Sequence, residues 1–249
     1  MSEEKGDVGS ATTEVISGKD RLTINSHGGL IEELILNGTK ILTTVTRGDG
    51  KKASTHPCTP IFGPETTTSY GLPRHGPMRT SQTKIKPQKD GASIEYHVKS
   101  GSYPEGLKVK QFIRIGNGIF TLDTQHINTS DQSLPVNFGE HLYWDTTEGG
   151  EGVQINGVDV TKLVEQNGVI DLLPKNEILI PGKPPISLKQ KGLTKAILWA
   201  YKDENGKVDA SYVCIEPVEA DPFSNFFGTE ESMIAEGTSR STSLAISLK

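Results

Sequence analysis

Between Leu107 and Leu122 the apolar side chains keep to every second position. Leu107, Val109, Ile113 and Ile115 share one parity, with polar Gln111 the odd member, and Gly116-Asn117-Gly118 then turns the chain into Ile119-Phe120-Thr121-Leu122. A period of two sends alternate side chains to opposite faces of an extended chain, and such a turn lays the two halves side by side. The pattern recurs at Ile94, Tyr96 and Val98, and at Leu244, Ile246 and Leu248. Asn37-Gly38, between Leu34-Ile35-Leu36 and Ile41-Leu42, is a hairpin signal because both residues tolerate positive φ. Further strands are expected around 178 to 180, 194 to 201 and 211 to 216. No stretch joins an N-cap, a 3.6-residue period and a C-cap over a long helix; one or two helical turns are expected around 161 to 166. Many short strands with short turns predict an all-β fold, a large antiparallel β-sandwich.

The length of 249 residues suits one large β domain. Residues 1 to 18 are dominated by Ser, Thr, Gly and Glu and are expected to be a mobile polar leader, with 19 to 249 a single sandwich domain. A net charge of −5 gives no reason to expect nucleic acid as a partner. No apolar run approaches the ~20 residues that span a bilayer, so no membrane partner is expected. The chain opens Met-Ser-Glu-Glu-Lys without an apolar signal core, and a cytoplasmic location is the expectation. Two cysteines, Cys58 and Cys214, do not make a disulfide framework and are expected to be reduced.

The chemistry concentrates in residues 56 to 79. His-Pro-Cys-Thr-Pro-Ile-Phe-Gly-Pro is followed, after a polar insert, by Tyr-Gly-Leu-Pro-Arg-His-Gly-Pro-Met-Arg. Gly71, Pro73, Gly76 and Pro77 exclude a helix and impose an irregular loop with few conformations. A stiff loop bearing His75, Arg74 and Arg79 suits a site that holds a polar ligand in one pose.

Pro-Ile-Phe-Gly-Pro followed by Leu-Pro-x-His-Gly-x-x-Arg resembles the aldose 1-epimerase (galactose mutarotase) superfamily, and is closest in motif to its hexose-6-phosphate 1-epimerase-like branch. Gly28-Gly29-Leu30-Ile31 with Asn37-Gly38, Glu140-His141-Leu142-Tyr143-Trp144 and Cys214-Ile215-Glu216-Pro217 agree in the same order. The resemblance implies two stacked antiparallel sheets with a sugar-binding face. It also implies an isomerase that interconverts α and β anomers of a hexose or hexose 6-phosphate, without cofactor or metal. Carried over residue by residue, Glu216 matches the general base, His141 the general acid and His75 a second, sugar-contacting histidine. Arg79 matches an arginine that contacts sugar or phosphate oxygens, and Arg74 stands beside it as a further substrate-binding candidate.

Two departures qualify this match. The family's sugar-binding aspartate has no convincing copy, with Asp159, Asp171 and Asp203 as candidates. A phosphate-binding arginine before the Pro-x-x-Gly run is represented only by Arg47, Lys51 and Lys52 at loose spacing.

Other chemistries fit less well. His56, His75, His126 and His141 lack the close spacing of zinc ligands, and no metal site is expected. There is neither a Gly-x-Ser-x-Gly elbow nor a phosphate loop. Glu140 and Glu216 could suggest a glycosidase, but alternation puts Glu140 on the face opposite His141. The rival from another class is a catalytically silent carbohydrate-binding sandwich, which would not need both His141 and Glu216.

Overall fold

The computed structural model describes residues 10–63, 70–146, 151–164, 168–205, 208 and 212–249. Two large antiparallel sheets, of ten and nine strands, share one apolar core. In the nine-stranded sheet the expected pair is Leu107–Gly116 against Ile119–Asn128, in continuous register from Leu107↔Asn128 to Gly116↔Ile119. Ser239–Leu248 pairs on its far side, and Leu244 and Ile246 point into the core with Phe120 and Leu122. The period-two reading therefore converts directly into burial: Leu107, Val109, Ile113 and Ile115 are all within that core.

The ten-stranded sheet faces it with Leu22, Leu34, Leu42, Val213 and Ile215. Its middle is the strand Val213–Val218, with Lys195–Trp199 on one side and the broken strand Gly139–His141, Tyr143–Trp144 on the other. Beyond that lies His56–Cys58, paired so that His141 stands opposite His56. Alternation fixes two compartments. Val213, Ile215, Leu142 and Trp144 enter the shared core, while Cys214, Val218 and Tyr143 join smaller clusters on the outer face.

One expectation changes. Thr12–Ser17 is a strand, not part of a mobile leader, pairing from Thr12↔Asn25 to Ser17↔Asp20; residues 1–9 lie outside those described. An edge strand is held by its backbone ladder and needs only one buried side chain, here Val15. Lys52–Ala53 pairs with Val45–Thr46 in a short two-stranded sheet. Helix is limited to Val160–Val164 and two 3-10 turns among the described residues, and the expected continuation to Gln166 falls outside them. No helix among the described residues is long and apolar enough to cross a membrane.

Candidate active site

Glu216 sits at the centre of the outer face, on the same side of its strand as Cys214 and Val218. Its cross-strand partner is Ile197 on one side. On the other, His141 brings Nε2 to 3.3 Å from Glu216 Oε1, with both side chains buried. Two other rings pack against the His141 ring. His56 stacks on it at 4.7 Å and Tyr143 at 4.7 Å, the latter only 9° from parallel. His56 Nδ1 donates to the Ser54 carbonyl at 2.8 Å, which fixes its tautomer, and Nε2 is buried without a hydrogen-bond partner.

His75 arrives from the Pro/Gly loop, its ring edge-on to His141 at 5.3 Å and to Phe62 at 5.1 Å. Its backbone adopts φ 61°, which a non-glycine residue takes up only when its surroundings enforce it. Two glycines do that enforcing. At Gly76 a Cβ would lie 1.9 Å from the Thr59 carbonyl oxygen, and φ is +72°. At Gly28 a Cβ would lie 2.3 Å from the Arg79 carbonyl oxygen, and its N–H donates to the Ser81 carbonyl at 2.7 Å. The early Gly-Gly motif thus clamps the far end of the loop that presents His75.

Gly63 N approaches His75 Nδ1 at 3.4 Å and Arg74 Nε approaches Nε2 at 3.3 Å. A neutral imidazole accepts at one nitrogen only. Both N–H groups are aimed at the ring, so in the neutral form only one of the two contacts is a hydrogen bond.

A cavity of about 110 Å³ opens on these groups, lined by His75, His141, Glu216 and Arg74 with the aromatic walls Phe62, Trp199 and Phe223. A second, of about 360 Å³, shares Phe62, Pro222 and Phe223 with it. The first is smaller than the roughly 300 Å³ at which ligand pockets begin, and the second exceeds it. Phe223 is 60% exposed, an aromatic face offered to solvent at the mouth. Of the residues the sequence nominated, His75, His141, Glu216 and Arg74 meet at this cavity. Arg79 does not line it. Its Nε is buried without a hydrogen-bond partner, and its charge helps to depress the three imidazoles.

Asp159 is bonded to Thr161, Asp171 to Lys195 and Asp203 to the Asn205 amide, and none of them lines the cavity. Arg47 is paired with Asp49 at 2.7 Å and lies over Trp199 and Tyr201. Glu140 points the other way, as alternation predicts, and accepts from Gln111 Nε2 at 2.8 Å between the sheets. Sequence reasoning missed His56 as a member of the site, together with Trp199 and Phe223. It also missed that cross-strand register sets Cys214 beside His141 and Glu216, although no metal-ligand spacing exists along the chain.

Burial dominates the electrostatics. Desolvation lowers His56 to about 4 and holds His141 and His75 well below the usual imidazole value; the neighbouring imidazoles and arginines push the same way. Desolvation also holds Glu216 well above the usual carboxylate value, against a smaller opposing pull from Arg74. In contact, His141 and Glu216 titrate as one unit. Both shifts favour the state that carries a single proton between them, held on Glu216 with His141 neutral. Such a pair can give a proton at one atom and take one at a neighbouring atom without net charge change.

No protein-family model matches the chain, and no curated protein matches its sequence. Solved structures do. A galactose mutarotase-like protein from Lactobacillus casei superposes with a TM-score of 0.77 at 12% identity, over 96% of this chain and 100% of that one. A galactose mutarotase related enzyme from Lactobacillus acidophilus gives 0.74 at 13%, over 96% and 97%. A galactose 1-epimerase from Lactobacillus acidophilus gives 0.66 at 13%, over 100% and 97%. The chain has the galactose mutarotase-like β-sandwich fold, in agreement with the motif resemblance. These likenesses do not single out the hexose-6-phosphate branch.

Proposed function

We propose that the protein is an aldose 1-epimerase, acting on a hexose or hexose 6-phosphate through His141 and Glu216. The observation that carries this reading is the buried 3.3 Å contact between His141 Nε2 and Glu216 Oε1 at a cavity also lined by His75. Anomer exchange needs one proton taken from the anomeric hydroxyl and one given to the ring oxygen, two atoms bonded to the same carbon. Once the pair's proton has passed from Glu216 to His141 across their 3.3 Å contact, Glu216 takes the first and His141 gives the second as the C1–ring-oxygen bond breaks. The aldehyde turns about C1–C2, and reclosure returns each proton to its donor. The cycle balances in protons, so it calls for no cofactor. Each positioned transfer contributes roughly 10²–10⁴-fold.

His75 is placed at the cavity to bond a sugar oxygen, and Arg74 supplies positive charge at the mouth. Trp199 and Phe223 offer apolar faces to the sugar's C–H surface. Tight packing around His141 keeps its ring orientation fixed while the sugar rearranges. Arg79 acts at one remove, through its charge on the histidines.

The test is NMR exchange spectroscopy or polarimetry on freshly dissolved α-sugars, with and without a 6-phosphate. Catalysed exchange abolished by Glu216→Gln is expected. Sugar binding without exchange for any hexose would overturn this reading in favour of a binding module.

A further inference from the structure

We propose that Cys214, His141 and Glu216 form a binding site for a thiophilic divalent cation of the zinc class, and that the bound cation holds the acid–base pair shut. All three side chains are buried, and their ligand atoms lie within 4.8 Å of one another. Nothing along the chain announces the site. Cys214 and Glu216 are two apart on one strand, and the neighbouring strand delivers His141 next to Tyr143, the cross-strand partner of Cys214.

The spacing suits a small tetrahedral ion. With zinc–nitrogen and zinc–oxygen bonds of about 2.05 Å, two such ligands on a tetrahedron stand about 3.3 Å apart. His141 Nε2 and Glu216 Oε1 are already at 3.3 Å. A sulfur at about 2.3 Å from the ion would stand about 3.6 Å from either ligand. Starting within 4.8 Å, Cys214 Sγ therefore has to move by no more than about 1.2 Å.

A second observation is independent of that spacing. Glu216 Oε1, the atom that faces His141 Nε2, is buried and makes no hydrogen bond within the protein. Buried polar atoms are normally satisfied, so such atoms at a cavity wall point to a ligand. Charge agrees: a thiolate and a carboxylate neutralise a dication, and both the thiol proton and the proton held by the His141–Glu216 pair leave to solvent on coordination. Sulfur and imidazole select zinc-like ions over magnesium or calcium, which require sets of oxygen ligands. Three protein ligands leave a fourth position, towards the cavity, for water or a sugar hydroxyl.

Coordination occupies the lone pairs that would accept protons. This inhibitory half rests on the epimerase reading; the binding half does not.

The experiment titrates Co²⁺ and then Zn²⁺ into metal-free, phosphine-reduced protein. Expected are one equivalent of Co²⁺, a thiolate-to-cobalt charge-transfer band with tetrahedral visible bands, and displacement by one equivalent of Zn²⁺. Cys214→Ala should abolish the charge-transfer band and weaken Zn²⁺ at least 10-fold. Cys214→Ser is the second variant should the alanine fail to fold, with circular dichroism verifying both. No thiolate band in the folded parent, or unchanged Zn²⁺ affinity in a folded cysteine variant, overturns the site. One equivalent of Zn²⁺ should slow anomer exchange at least 10-fold, with recovery on chelation; bound metal with unchanged exchange overturns the inhibition. A cobalt site in a protein that exchanges no sugar supports the site and counts against the epimerase reading alone.

Discussion

Replacing Glu140 by glutamine should remove a pH-dependent weakness of the fold. Glu140 lies between the sheets, 2% exposed, with Gln111 Nε2 donating to Oε1 at 2.8 Å. Desolvation raises its pKa from 4.5 to about 8, outweighing that hydrogen bond. The folded state therefore keeps a proton that the unfolded chain releases above pH 4.5. The stabilisation tied to this proton is fully present below pH 4.5 and disappears as the pH rises to about 8. A difference of 3.5 pH units at about 1.4 kcal/mol each gives about 5 kcal/mol as an upper limit, and relaxation around a real carboxylate reduces it to a few. Glutamine keeps the acceptor for Gln111 and cannot ionise. Its second amide hydrogen adds a cost that does not vary with pH, so the slope carries the test rather than the offset. Urea unfolding of parent and Glu140→Gln at intervals from pH 5 to 9 should show the difference moving in the variant's favour by roughly 2–5 kcal/mol. Glu216 and Glu219 titrate in both proteins and cancel in the comparison. A difference that stays flat from pH 5 to 9 would refute the argument.

Other outcomes are equally specific. Glu216→Gln and His141→Asn should each lower kcat by at least about 10²-fold while sugar affinity stays within about tenfold, and full activity in either would end that residue's assignment. The pH profile of kcat/KM should show a broad plateau, because the one-proton pair gains a second proton only well below 6.5 and loses its last only well above 4.5. A narrow bell confined between those two ordinary values would contradict it. Gly76→Ala combines a left-handed φ of +72° with a Cβ 1.9 Å from the Thr59 carbonyl oxygen, so it should cost at least about 2 kcal/mol in urea unfolding and depress activity by misplacing His75. Unaltered stability would show that the loop yields there.

Parity made much of this site legible. Val213 and Ile215 enter the core, so alternation turns Glu216 outward, and the same rule sets His141 and Glu140 on opposite faces. Register was not legible. Nothing in the spacing of His56 or Cys214 says which strand lies beside which, and both entered the site through pairing across the sheet. The Pro/Gly loop was readable as rigid, but its side-chain directions depend on contacts at Thr59 and Gly28, distant in sequence. Arg74 and Arg79 could therefore not be told apart. Thr12–Ser17 was missed because an edge strand held by backbone bonds carries almost no hydrophobic signal.

The packing of His141 against the nearly parallel Tyr143 ring has a magnetic consequence. Its protons lie in the ring-current field of a tyrosine 4.7 Å away. The carbon-bound protons of His141 should therefore be displaced in frequency from those of the exposed His27 and His97. A selectively labelled imidazole would then report on the reacting group by its frequency alone, and any sugar that parts the rings would move that signal before a single anomer had turned over.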